Sequence, residues 1–211
     1  MALGPHDTTL QPSGAHDRDG HYAMTAETAR HTVLSQIAPF DTAKEDVRIV
    51  IETPRGSRTK YSYDPDCDCM ELSTVLPEGM VFPYDFGFVP STLGEDGDPV
   101  DVLILMDAAV VPGCVVRARL IGAIEAEQKD NGKWVRNDRL IAVATHAQTY
   151  NNARRLSDLR PHLVKEIKQF FTSYNKLRDR GFRARAEAGP HKAKSLLKQG
   201  LKRFDKSHKG K

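Results

Sequence analysis

The stretch Asp96-Gly97-Asp98-Pro99-Val100-Asp101 runs without a break into Val102-Leu103-Ile104-Leu105-Met106. Gly97 allows a sharp turn between the first two acids, and Pro99 drives Asp98 toward an extended backbone, so the acidic segment is not helix. The aliphatic run behind it has the length and composition of a buried strand. Three carboxylates are thus placed at the mouth of a strand, where they repel one another unless a cation sits among them. Hard oxygen donors of this kind suit Mg²⁺, Mn²⁺ or Ca²⁺ rather than zinc. An EF-hand is a poorer fit, because Asp101 stands where that loop needs Gly and Asp107 where it needs Glu. The segment reads as a metal site, with an acidic loop that holds no ligand as the alternative.

Outward from this strand the β signals continue. Val47-Arg48-Ile49-Val50-Ile51-Glu52 is stopped by Pro54 and Gly56, and Lys60-Tyr61-Ser62-Tyr63 runs into the turn Asp64-Pro65-Asp66. Residues 100–106, 114–126 and 139–145 are further strands, punctuated by Pro112-Gly113 and Asn131-Gly132. Short strands with regular turns predict a mainly β fold built on a small closed barrel. After residue 151 the period changes: Leu156, Leu159, Leu163, Ile167, Phe170, Phe171 and Tyr174 recur at helical spacing. A helix that begins near Ser157 or Asp158 tolerates Pro161 in its first turns. A second helix is expected from Lys192 to Phe204, after Gly189-Pro190. The reading is a barrel with flanking C-terminal helices and no internal repeats.

The ends differ from this centre. Residues 1–25, rich in Gly, Pro, His, Asp and Thr, read as a disordered polar head in which His6, His16 and His21 face solvent. A short amphipathic helix is expected over Ala26–Ile37. Residues 26–185 form the barrel-and-helix domain, and residues 186–211 a basic helix and tail. Residues 1–151 carry 13 Lys and Arg against 23 Asp and Glu, whereas residues 152–211 carry 18 against 5. Such an asymmetry means a basic arm for an acidic partner, a basic segment folded over an acidic site, or a solvated face.

Hydrophobic residues make up 39% of the 211, so part of the length is expected to lie outside the core. No apolar run approaches the roughly 20 residues that span a bilayer. The N-terminus lacks the basic start and apolar block of a secretory signal. The cysteines are Cys67, Cys69 and Cys114, an odd number, and Cys67-Asp68-Cys69 lacks the two-residue spacer of common zinc and redox motifs. Reduced thiols in a cytoplasmic, non-membrane protein are the expectation. His146 and Cys114 are read as structural.

Several blocks, in order, resemble the soluble family I inorganic pyrophosphatases. They are Val50-Ile51-Glu52-Thr53-Pro54, Thr59-Lys60-Tyr61, Phe82-Pro83 through Gly87, and above all Asp96-Gly97-Asp98-Pro99-Val100-Asp101-Val102-Leu103. Pro112-Gly113, Arg139-Leu140-Ile141-Ala142-Val143 and Phe170-Phe171-Thr172-Ser173-Tyr174 continue the match. The resemblance covers residues 45–178 and implies an OB-like five-stranded closed barrel with helices. It also implies Mg²⁺-dependent hydrolysis of pyrophosphate, with Mn²⁺ as the other candidate ion, and assembly into a homo-oligomer. By the same resemblance Asp96 and Asp101 are metal ligands, and Asp98 is the acid closest to the attacking water. Glu52 belongs to the outer metal sphere. Lys60 and Tyr174 grip phosphate, and Arg139 stands where the family usually has Lys. Alone, Glu52 and Lys60 would read as strand surface and Tyr174 as a core aromatic.

The residue types suit that chemistry. Phosphoryl transfer asks a protein chiefly to position and to neutralise charge. Carboxylates hold Mg²⁺, which lowers the pKa of a bound water, and cationic and hydroxyl groups hold the phosphates. Departures from the family pattern are Phe86 for a Tyr, Thr74 for an Arg, Ser62 for a Glu and Asn175 for a Lys. Gln128 and Asn137 align with metal carboxylates, beside Glu127 and Asp138, and Asp138 is the candidate acid if the alignment shifts by one. Two alternatives follow: hydrolysis of another phosphoanhydride, or a non-catalytic barrel that binds phosphate or nucleic acid. The second is disfavoured because the tail from Lys192 to Lys211 offers Phe204 and little other aromatic surface.

Overall fold

In chain order the strands are β1 (Val47–Thr53), β2 (Thr59–Asp64), β3 (Cys69–Val75), β4 (Asp85–Val89), β5 (Val100–Leu105), β6 (Val115–Asp130), β7 (Lys133–Arg136), β8 (Arg139–Ala144) and β9 (Phe182–Ala188), with helices α1 (Leu163–Lys176) and α2 (Pro190–His208). This computed structural model describes residues 34–40, 46–130 and 132–209. The expected polar head lies outside the described residues, as does most of the helix expected over Ala26–Ile37, of which Leu34–Gln36 forms a single 3-10 turn.

Five strands close on themselves. β1 pairs with β4, β4 with β5, β5 with β8 and β8 with β6, and β6 returns to β1. Only β5 and β8 run parallel. Closure depends on β6, which is 16 residues long. Its first residues pair with β1, and a register shift between Leu120 and Gly122 bends it across β8. Its far end carries β7 and β9, and the β2–β3 hairpin stands apart as a two-stranded sheet. The ring of five strands in a mainly β fold is the architecture expected from the turn pattern and the resemblance.

The core follows from burial on both faces of the central strand. Val102, Leu103, Ile104 and Leu105 have no exposed surface, which explains an unbroken aliphatic run where a half-exposed strand would alternate. The five expected strands coincide with β1, β2, β5, β6 and β8. The residues of β4 are all buried, and β9 alternates Arg183, Arg185 and Glu187 with alanines. Neither was anticipated.

Helix α1 begins at Leu163, later than the expected start near Ser157 or Asp158. The reason is local: Leu156–Asp158 forms a 3-10 turn, Pro161 disfavours helix in the residue before it, and His162 takes a left-handed φ of 72°. From there Leu163, Val164, Ile167, Phe171 and Tyr174 form one buried face. Helix α2 extends further both ways than expected, because Pro190 serves as its first residue. It buries Ala193, Leu196 and Leu197, and at Gly200 it lies so close to the barrel that a Cβ would sit 2.6 Å from Val100 Cγ2.

Candidate active site

The acidic loop is tied at both ends. Thr92 Oγ1 donates to the Val89 carbonyl at 2.5 Å and accepts from the Val100 amide at 3.0 Å, clamping the mouth of β5 against the end of β4. Gly94 N–H donates to the Asp98 carbonyl at 2.6 Å, and the Asp98 N–H donates to Asp96 Oδ1 at 3.3 Å. Gly97 turns the chain with a φ of +96°, open to few residues other than glycine. From behind, Arg203 of α2 donates to the Leu93 carbonyl at 2.8 Å. The basic C-terminal segment therefore does back the acidic loop.

In front of the loop lies a cavity of about 470 Å³. Six of the eight predicted residues line it: Glu52 from β1, Lys60 from β2, Asp98 and Asp101 from the loop and β5, Arg139 from β8 and Tyr174 from α1. Asp96 and Asp138 line an adjoining cleft of about 30 Å³, and Asp101 faces both spaces. Among the described residues, no three of these acids have oxygens all within 4.8 Å of one another. Asp96, Asp98 and Asp101 flank two adjoining spaces, with Asp101 on both.

Charge is nevertheless concentrated here. Arg139 Nη1 lies 2.5 Å from Asp101 Oδ2. Burial still pushes the Asp101 carboxyl up to about 7, since the attraction of Arg139 is opposed by the nearby Glu52 and Asp96. Burial, then the neighbouring Asp98, raises the Asp96 carboxyl too. Acids held above their ordinary range by burial and by one another suit a hard cation, and their all-oxygen donor set fits Mg²⁺ or Mn²⁺, which keep some of their waters. Glu52 accepts from the Tyr63 N–H at 2.9 Å and sits 3.7 Å from Lys60 Nζ. Asp138 is more fully engaged: Oδ1 accepts from the Ala126 N–H at 3.0 Å and Oδ2 from Arg136 Nε at 2.8 Å.

The departures from the resemblance also find their places. Phe86 is buried beneath two cations, 5.7 Å from Lys60 Nζ and 5.9 Å from the Arg139 guanidinium, which also lies 5.3 Å from the Phe171 ring. The ring that lacks a hydroxyl therefore supports both through its π face. Gln128 and Asn137 themselves line the cavity; Glu127 turns away to Arg185 at 2.5 Å, and Asp138 faces the cleft. Asn175 lines the cavity but donates to the Phe171 carbonyl at 2.9 Å within the helix. Thr74 lies outside it, in a separate hollow beside Leu177.

Two cations at the cavity wall went unpredicted, Arg178 and Arg180. Arg178 donates to the Tyr174 hydroxyl, and its guanidinium lies 5.3 Å from the Tyr174 ring. No carboxylate pairs with either arginine among the described residues. Arg178 was legible in principle, four residues beyond Tyr174 and so on the same helix face. Arg180 was not, because it returns to the cavity only through a turn in which Asp179 takes a φ of 53°.

The family model described as inorganic pyrophosphatase matches residues 49–205. Soluble inorganic pyrophosphatase 2 of Chlamydomonas reinhardtii is 39% identical over 181 residues, 86% of this chain and 92% of that protein. The crystal structure of inorganic pyrophosphatase from Thermus thermophilus superposes with a TM-score of 0.76 at 32% identity, covering 82% of this chain and 99% of that one. An inorganic pyrophosphatase from Neisseria gonorrhoeae gives 0.73 at 30% identity, with 82% and 99% covered. With a match of this extent reaching from β1 through α2, the chain belongs to the inorganic pyrophosphatase family.

Proposed function

We propose that this chain hydrolyses inorganic pyrophosphate to two phosphates in a Mg²⁺-dependent reaction. The observation that carries the reading is that Lys60, Arg139, Arg178 and Tyr174 line the same cavity as Asp98 and Asp101. Such a cavity can hold a small polyanion among cationic donors and metal-binding oxygens.

Asp98 and Asp101, with Asp96 from the adjoining cleft and Glu52 as an outer partner, would hold the metal. Asp138 could join them only by giving up Arg136. Bound Mg²⁺ supplies neutralisation of phosphoryl charge and a water of lowered pKa. Asp98 lines the open cavity and is free of any basic partner among the described residues, so it is the acid placed to accept the proton of the attacking water. Lys60, anchored by the Tyr61 carbonyl at 2.9 Å and Ser62 Oγ at 3.3 Å, orients one phosphate. Tyr174 and Arg178 hold the other, and their charge-assisted hydrogen bonds strengthen as charge builds on the departing phosphate. Arg139, over Phe86 and Phe171, fixes Asp101 and adds positive charge to the cavity floor.

Phosphate release from pyrophosphate is the test, measured with Mg²⁺, with chelator and with Asp98→Asn. The variant is expected to lose about 10²- to 10⁴-fold in kcat, the usual worth of a positioned base. Equal turnover by Asp98→Asn would remove that residue from the chemistry. A second reading, hydrolysis of a larger phosphoanhydride, draws on Asn175 and Gln128, uncharged at positions lining the cavity. Faster turnover of nucleotides or polyphosphate than of pyrophosphate would favour it.

Assembly into a homo-oligomer is supported by Leu72 and Val75 on β3 and Leu177 after α1, all more than half exposed; sedimentation tests it. Three free cysteines accord with a reducing, cytoplasmic setting. No helix among the described residues is long and apolar enough to cross a membrane.

A further inference from the structure

The tip of the β2–β3 hairpin gathers soft and hard donors away from the acidic loop. Asp64 and Cys69 are direct partners across the hairpin. Glu71 follows Cys69 by two residues and so points to the same face. Cys67 reaches that face from the turn: ligand atoms of Asp64, Cys67 and Glu71 all lie within 4.8 Å of one another. One thiol and two carboxylates therefore converge, with Cys69 set on the same face by its register opposite Asp64.

The turn that presents them is built independently of any ion. Asp68, between the cysteines, has a φ of 50° and turns its carboxylate the other way, where Oδ1 accepts from the Tyr63 hydroxyl at 2.8 Å and the Leu34 N–H at 3.0 Å. Asp64 Oδ1 accepts from the Asp66 N–H at 2.8 Å. No salt bridge from a basic side chain reaches Asp64 or Glu71 among the described residues.

We infer that Asp64, Cys67, Cys69 and Glu71 form a binding site for one borderline divalent cation of the zinc class, separate from the hard-cation centre at the acidic loop. Thiolate donors select against Mg²⁺ and for Zn²⁺-like ions; Asp64, Cys67 and Glu71 already stand together, and Cys69 on the same face supplies the fourth donor of a tetrahedral set. Binding releases the thiol protons to solvent and neutralises a donor cluster that lacks a protein counter-charge. An ion there clasps the turn next to Tyr63 and Pro65, which line the catalytic cavity, and so stiffens one cavity wall.

The test uses full-length, reduced protein in excess Mg²⁺, titrated with Co²⁺ as a spectroscopic probe. Expected are one equivalent per chain with thiolate-to-cobalt charge-transfer absorption, its displacement by Zn²⁺, and its loss in Cys67→Ser/Cys69→Ser with pyrophosphate hydrolysis in Mg²⁺ unchanged. Asp64→Asn and Glu71→Gln should each weaken binding by more than the roughly tenfold lost with an outer partner of a metal ligand. As a measurement without variants, Zn²⁺ should slow alkylation of Cys67 and Cys69 but not of Cys114. Absence of the thiolate band, its persistence in the double serine variant, half an equivalent per chain, indifference to both carboxylate changes, or unprotected Cys67 and Cys69 would each overturn the inference.

Discussion

Arg139 and Asp101 form a 2.5 Å ion pair between two side chains largely withdrawn from water, yet the pair does not settle the charge of the acid. The Asp101 carboxyl still titrates at about 7, against 3.8 when unfolded, because burial and the neighbouring Glu52 and Asp96 outweigh Arg139. A folded-state pKa above the unfolded one favours the fold at low pH, and this contribution is lost as pH rises through about 7. A metal needs the carboxylate, so below about pH 7 it must displace the proton. Metal affinity is therefore expected to rise with pH and level off above about 7. Calorimetric titration in buffers of different ionisation enthalpy should show close to one proton released at about pH 6 and almost none at about pH 8.5. Release independent of pH would separate Asp101 from the metal.

Removal of the arginine reverses the balance. Arg139→Met leaves Asp101 facing two acids with only the weaker attraction of Lys60, and breaking a buried pair typically costs about 3–5 kcal/mol. The loss should be larger at pH 8, where Asp101 is ionised, than near pH 5, where it carries a proton, and added Mg²⁺ should recover part of it at the higher pH. Thermal denaturation at the two pH values checks this. Equal losses at both would mean that Arg139 contributes through packing on Phe86 and Phe171 instead.

Gly200 couples the C-terminal helix to the acidic loop. Its carbonyl accepts from the Leu93 N–H at 3.1 Å, and a side chain at this position would strike Val100, one residue from Asp101. Gly200→Val should cost about 1–3 kcal/mol by overpacking and weaken Mg²⁺ binding as the loop is pushed aside. Denaturant unfolding and metal titration read the two effects separately. Lower stability with undisturbed metal affinity would show that α2 supports the barrel but not the site.

Elements with one dominant local signal were legible in the sequence. The aliphatic block behind Asp101 announced β5, and the leucine and phenylalanine spacing before Tyr174 announced α1. What stayed hidden depends on long-range pairing. β9 alternates charge and alanine without an apolar face of its own and becomes a strand only on the edge of β6. The division of Asp98 and Asp96 between cavity and cleft was not legible, because proximity in sequence says little about which of two spaces each carboxylate enters. Phe86 looked like a lost hydroxyl, and its role under Lys60 and Arg139 needed the β2–β3 hairpin and β8 to meet over β4.

Arg178 is expected to restore the phosphate contact that Asn175 lacks. Asn175 is tied to the Phe171 carbonyl, whereas Arg178 reaches the same cavity wall through the Tyr174 hydroxyl. Loss of a charged hydrogen bond to substrate costs about 1.5–3 kcal/mol, so Arg178→Gln should lower kcat/KM by roughly ten- to over a hundredfold. Mg²⁺ affinity and thermal stability should change little, since the side chain is half-exposed and has no carboxylate partner among the described residues. Arg178→Lys should keep a good part of the activity, and Asn175→Lys placed in the Arg178→Gln background should recover some of the loss by returning a cation to the adjacent position. A kcat/KM unaltered in Arg178→Gln, from an enzyme that otherwise turns over pyrophosphate, would leave Arg178 as a packing partner of Tyr174 and the second phosphate held by Tyr174 alone.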